Sequence, residues 1–93
     1  MVFITAIRMN EDGTACEHIA EVQWVNPRTK HVGESSVATM VKFIDDHGEG
    51  VAQVQDEDGA VNVGVVRPKS GPPYIRTYAN KRWTDNLLAL PRF

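Results

Sequence analysis

At 93 residues the chain has room for one hydrophobic core and not for a second, so a single domain over residues 1–93 is expected, folding without covalent staples. A composition 42 % hydrophobic and 24 % charged, with seven Gly and five Pro, argues against disorder and for many turns. The net charge of −2 sets the chain apart from the strongly basic domains that bind phosphate backbones.

That near balance hides an asymmetry. Residues 1–66 carry four basic and eleven acidic side chains, whereas residues 67–93 carry six basic and one acidic. A cationic C-terminal third either presents a surface to phosphates or lies across the acidic remainder as its internal complement. The one cysteine, Cys16, has no partner for an internal disulfide, so a reducing, cytoplasmic setting is the simpler expectation. The opening MVFITAIRMNEDG has no basic residues ahead of its short apolar run and is expected to be mature protein. No apolar stretch approaches the roughly 20 residues that cross a bilayer as a helix.

In chain order, Val2 to Met9 is rich in β-branched residues and places apolar side chains on both faces, as a central strand does. Asn10, Glu11, Asp12 and Gly13 form a turn cluster. The run HIAEVQWV then alternates, with Ala20, Val22 and Trp24 on one face and Glu21 and Gln23 on the other, giving a second strand and a hairpin. Asn26-Pro27 ends it, and RTKHVGE is expected to be a polar loop.

From Ser36 the period changes. Val37, Met40, Val41 and Ile44 recur at i, i+3, i+4 and i+7, which predicts a helix over about 36–47 with one buried stripe. Ser35 or Ser36 can cap its N-terminus and Gly48 can close its C-terminus. Asp45 and Asp46 sit in the last turn, where the helix dipole disfavours negative charge.

A second hairpin follows: GVAQVQ, a turn at Asp56, Glu57, Asp58 and Gly59, then AVNVGVV with Val61, Val63 and Val65 on one face. Gly64, on the other face, permits a close approach of another backbone or a bulge. Arg67 to Pro73 is too rich in Pro and Gly for a regular element. YIRTYA is a fifth strand, with Tyr74, Arg76 and Tyr78 on one side and Ile75, Thr77 and Ala79 on the other. After a turn at Asn80-Lys81, Thr84 or Asp85 caps a short helical turn holding Leu87, Leu88 and Leu90, stopped by Pro91. The expected fold is α+β, order ββαβββ: an antiparallel sheet of about five strands with one helix on one face and a short C-terminal helical turn, or else a small curled barrel.

Ile4, Thr5, Ala6 and Arg8 in the first strand, Trp24 in the second, Tyr74, Ile75, Arg76 and Thr77 in the fifth, and Asp85, Asn86, Leu87, Leu90 and Pro91 at the end give the chain a pattern that resembles a bacterial family known as domain of unknown function 3892. The likeness runs nearly end to end. It implies a single small domain of bacterial type and carries no activity, cofactor or site residue with it.

The reactive side chains offer little chemistry. Cys16, His18, His31 and His47 lack a second pair at zinc-like spacing, so no metal or other cofactor is expected. Asp56, Asp58 and Gly59 suggest a calcium loop only superficially, because Gly falls at position four rather than six. Ser35 and Ser36 lie near His31, but a Ser at a helix start is ordinarily a cap, and there is no G-x-S-x-G elbow. A non-enzymatic domain is expected.

The one constellation that stands out is Tyr74, Arg76 and Tyr78 with Lys69, Lys81, Arg82 and Trp83. Aromatic platforms with neighbouring cations bind single-stranded nucleic acid. Equally, Tyr and Trp favour strands, and Arg76 has many carboxylates to pair with. A protein-interaction or self-associating module using an open strand edge, or the C-terminal leucines and Phe93, is the leading expectation; nucleic-acid binding is the alternative.

Overall fold

The computed structural model describes residues 1–11, 13–57 and 59–93; Asp12 and Asp58, each placed in a turn by sequence, lie outside the described residues. The elements are β1 (Val2–Met9), a 3-10 turn (Cys16–His18), β2 (Ile19–Val25), β3 (Val32–Ser36), α1 (Val37–His47), β4 (Ala52–Asp56), β5 (Gly59–Val66), β6 (Tyr74–Ala79), β7 (Arg82–Thr84) and a second 3-10 turn (Asn86–Ala89). Among the described residues the fold is α+β with one helix, as the periodicity indicates, but the sheet they form has seven strands in the order β3-β2-β1-β4-β5-β6-β7.

Three corrections to the expected architecture follow. The last three of the seven loop residues are strand: Val32 to Glu34, continued through Ser35 and Ser36, pair antiparallel with β2, Trp24 lying opposite Gly33. Arg82 to Thr84 pairs with β6 across the Asn80-Lys81 turn, whose two residues both have positive φ, 53° and 65°, the geometry that matches hairpin twist. The sheet is mixed rather than antiparallel, because β4 lies parallel to β1 at Val2 and Phe3. Parallel neighbours need a crossover, and β2, β3 and α1 together supply it.

The helix forms where its stripe predicts. Val37, Met40, Val41 and Ile44 are buried, each contributing about 1.5–3 kcal/mol relative to exposure. Ser36 Oγ accepts the Thr39 N–H at 3.1 Å, satisfying one orphan donor of the first turn. At the other end Gly48 takes φ 92° and its N–H reaches the Ile44 carbonyl. The unfavourable carboxylates of the last turn are both engaged, Asp46 by Lys42 and Asp45 by Arg67. The helix lies against β2, β3, β5 and β6, bridging the two flanks of the central β1–β4 pair.

Helix and sheet share one core, in which Ile4, Ile7, Val22, Val54, Val63, Ile75 and Leu87 are fully buried. A register shift between Ile4 and Ala6 allows Ala6 and Ile7, neighbours in sequence, both to be buried. The other edge of β1 is shared. Beyond Phe3 the C-terminal segment takes over from β4: Ile7 N–H donates to the Pro91 carbonyl at 3.0 Å, and Phe93 N–H donates to the Ile7 carbonyl at 3.1 Å. Phe93 is therefore held against β1, its ring 4.4 Å beneath the Arg8 guanidinium.

Gly33 marks a place of tight packing. A Cβ there would meet the Trp24 ring at 2.5 Å, while the Trp24 indole N–H donates to Ser35 Oγ at 3.0 Å. Gly33→Ala should expel the indole from this seat and cost about 1–3 kcal/mol, read as a lower urea midpoint and a red-shifted tryptophan emission.

Candidate functional site

Strand β6 presents its residues as the alternation predicts. Ile75 and Thr77 are fully buried, and Tyr74, Arg76 and Tyr78 are half-buried on the opposite side. These three do not form one platform. Tyr74 and Arg76 line a depression with Cys16, Glu17, Asp85 and Leu88, whereas Tyr78 and Trp83 line another with Asp45, Glu49, Asn62 and Arg67. Arg76 is committed to its own neighbourhood: Nε donates to the Thr84 carbonyl at 3.1 Å and Nη2 to Asp85 at 2.9 Å.

Trp83 packs edge-on to Tyr78 with ring centroids 5.1 Å apart and stays 42 % exposed. It is Trp83's ring, not a backbone, that approaches Gly64, where a Cβ would meet the ring at 3.2 Å. Lys69, Lys81 and Arg82 are exposed and make no ion pair among the described residues. The remaining cations of the basic third are used internally. Arg67 reaches Asp45 on α1, and Arg92 donates to the Leu88 and Leu90 carbonyls at 2.9 and 2.7 Å.

Under β6 lies a saturated polar cluster. Thr77 Oγ1 donates to the Thr84 carbonyl at 2.9 Å and accepts from Thr84 Oγ1 at 2.7 Å and from the Asn86 N–H at 3.1 Å. Asn86 in turn donates through Nδ2 to Asp56 at 3.0 Å. The cluster pins β7 and the second 3-10 turn to the sheet, and the Thr77 hydroxyl so placed has no free lone pair for chemistry. Replacing Thr77 by Val leaves the Asn86 N–H without its acceptor and the Thr84 carbonyl with Arg76 Nε as its remaining side-chain donor, and should cost about 2 kcal/mol in chemical denaturation.

His18, placed at the head of the second strand by its alternation, sits with Cys16 in the first 3-10 turn, and the two diverge: Cys16 is buried and His18 exposed. His18 Nδ1 accepts the Thr14 and Ala15 N–H groups at 3.1 and 3.2 Å, a local structural role. Among the described residues no three His, Cys, Asp or Glu side chains converge as a metal site; the calcium-loop comparison rests on Asp58, outside those residues. His31 is exposed, and Ser35 and Ser36 serve Trp24 and the helix cap.

Burial pushes the Cys16 thiol above its ordinary pKa; Arg76 draws it down, and Asp85 and Glu17 push it up. The folded state thus holds the proton more tightly. Its stabilising contribution is whole below the ordinary thiol range and is lost as pH rises through the raised value. Cys16 should resist alkylation in the native protein near neutral pH and react on unfolding; stability should fall as pH climbs beyond about 8.5, with a shallower slope in Cys16→Ala.

The feature that sequence missed is β3. It is an edge strand, pairing only with β2 among the described residues, and Val32 on it is 71 % exposed. A depression flanks it on either side. One of about 130 Å³ is lined by Val2, Trp24, Ser35, Thr39, Met40 and Phe43; the other, about 390 Å³, is lined by Thr5, Gln23, Trp24, Val32, Gly33 and Glu34. The only sequence signal was Val32 standing alone in a polar run. No helix among the described residues is long and apolar enough to cross a membrane.

No curated protein and no solved structure matches the chain. A family model described as protein of unknown function, DUF3892, matches residues 3–91, and the chain belongs to that family.

Proposed function

We propose that this domain is a non-enzymatic protein-binding module that takes an extended segment of its partner as an additional strand on β3. The observation that carries this reading is an open five-residue edge, Val32–Ser36, with a depression on each side of it. An added strand gains affinity from main-chain hydrogen bonds, and its side chains, pointing alternately to the two faces, are sorted by what flanks the edge. Here one side is apolar, between Trp24, Met40 and Phe43, and the other carries Thr5, Gln23 and Glu34. The preferred segment therefore alternates apolar with polar residues.

Two other surfaces support the reading less well. The C-terminal leucines and Phe93 are spent on the core and on β1. The Tyr74, Arg76 and Tyr78 face is divided between two depressions, with Glu17, Asp45, Glu49 and Asp85 among the residues lining them, a poor reception for phosphates.

Selection from a library of displayed linear peptides, followed by backbone amide mapping of a selected peptide, tests this. The expected result is an alternating apolar–polar consensus with shifts centred on residues 32–36, and at least about a ten-fold loss of affinity in Val32→Lys, since a charge on an edge opposes strand addition. Shifts centred elsewhere, or undiminished binding to a folded Val32→Lys protein, would overturn it. Concentration-dependent sedimentation with the same β3 shifts would make a second copy of the chain the partner.

A further inference from the structure

The depression lined by Asp45, Glu49, Asn62, Arg67, Tyr78 and Trp83 belongs to the opposite side of the sheet order from β3 and stands independently of strand addition. Its volume of about 580 Å³ lies within the range of small-molecule sites. Two aromatic rings line it at 62° to one another, an edge-to-face contact that covers one face of one ring and leaves each ring a face clear of the other. Gly64 makes this possible, since any side chain there would lift Trp83 away from β5. An indole this exposed, on a three-residue edge strand, contributes little to the core.

The carboxylates of the depression differ in their engagement. Asp45 is neutralised by Arg67, while Glu49 forms no ion pair or side-chain hydrogen bond among the described residues. Ring faces are the negative part of the aromatic quadrupole, and an unpaired carboxylate adds a full charge. A phosphate or carboxylate ligand would be repelled by Glu49. A hard metal ion requires several converging oxygens, and among the described residues no three His, Cys, Asp or Glu side chains converge here or elsewhere. The chemistry that fits both an apolar ring surface and a lone negative charge is an organic cation with a hydrocarbon skin.

We infer that this depression binds an alkylated or quaternary ammonium group, with Trp83 and Tyr78 supplying the ring faces and Glu49 the counter-charge. The chain contains two tryptophans, so the indole N–H signal of Trp24 is an internal control for that of Trp83. Choline chloride, titrated into the tens of millimolar against matched sodium chloride, should shift the Trp83 signal saturably and leave Trp24 in place. The uncharged isostere of choline, with carbon in place of the quaternary nitrogen, should bind at least about five-fold more weakly. Glu49→Gln, a change at an exposed residue, should weaken choline by about the same factor, and Trp83→Leu, followed at the Gly64 and Tyr78 backbone amides, which shift saturably in the unmodified protein, should abolish saturation while signal dispersion is retained.

Equal binding of the isostere, an unaltered response in Glu49→Gln, or no saturable shift at Trp83 would each overturn the inference. A short peptide bearing trimethyllysine, titrated in parallel, separates the two sources of the group. Tighter binding of the peptide assigns a modified protein, and tighter binding of choline a small metabolite-sized cation.

Discussion

Strand β1 sits in the middle of the sheet, and its backbone donors and acceptors on both edges must be satisfied, because an unpaired buried N–H or carbonyl costs about as much as a lost hydrogen bond. One edge goes to β2. The other is divided between β4, which reaches only Val2 and Phe3, and the segment from Pro91 to Phe93, which brackets Ile7. From this division the rest of the architecture follows. A parallel β4 demands a crossover, which carries α1 onto the sheet, and a shared edge brings residue 93 back to the first strand.

The polar interior serves the same end. Thr77 is the one buried polar residue among those described, and all its hydrogen-bonding capacity is spent on Thr84 and Asn86. That anchors the second 3-10 turn, drops Leu87 into the core and aims the remaining residues at Ile7. The Arg76–Asp85 and Arg67–Asp45 pairs lie nearer the surface, where such pairs contribute at most about 1 kcal/mol each. Their effect is directional: they consume guanidinium groups that would otherwise make the basic third of the chain a phosphate-binding surface.

The two ends of the sheet are guarded differently. Strand β7 is three residues long and begins with Arg82, and short, charged edges discourage pairing with other chains. Strand β3 is longer, carries its charge only at Glu34, and exposes Val32. A fold that protects one edge and leaves the other open concentrates strand addition at a single place, while the protected edge is free to display Trp83 beside Tyr78.

Local pattern determined much of this protein by itself. The stripe Val37, Met40, Val41 and Ile44 specified the helix, Ser35 or Ser36 its start and Gly48 its end, and alternation separated Ile75 and Thr77 from Tyr74, Arg76 and Tyr78; these features rest on interactions within a few residues. What only the tertiary structure decided is non-local. Val32 to Ser36 is strand because β2 offers it hydrogen bonds and Trp24 lies over Gly33, not because its polar side chains favour extension. Arg82 to Thr84, the parallel pairing of β1 with β4, and the return of Phe93 to Arg8 are likewise settled by backbone hydrogen bonds. Those groups are the same in nearly every residue, and so leave no mark in the sequence that would announce which strand they join.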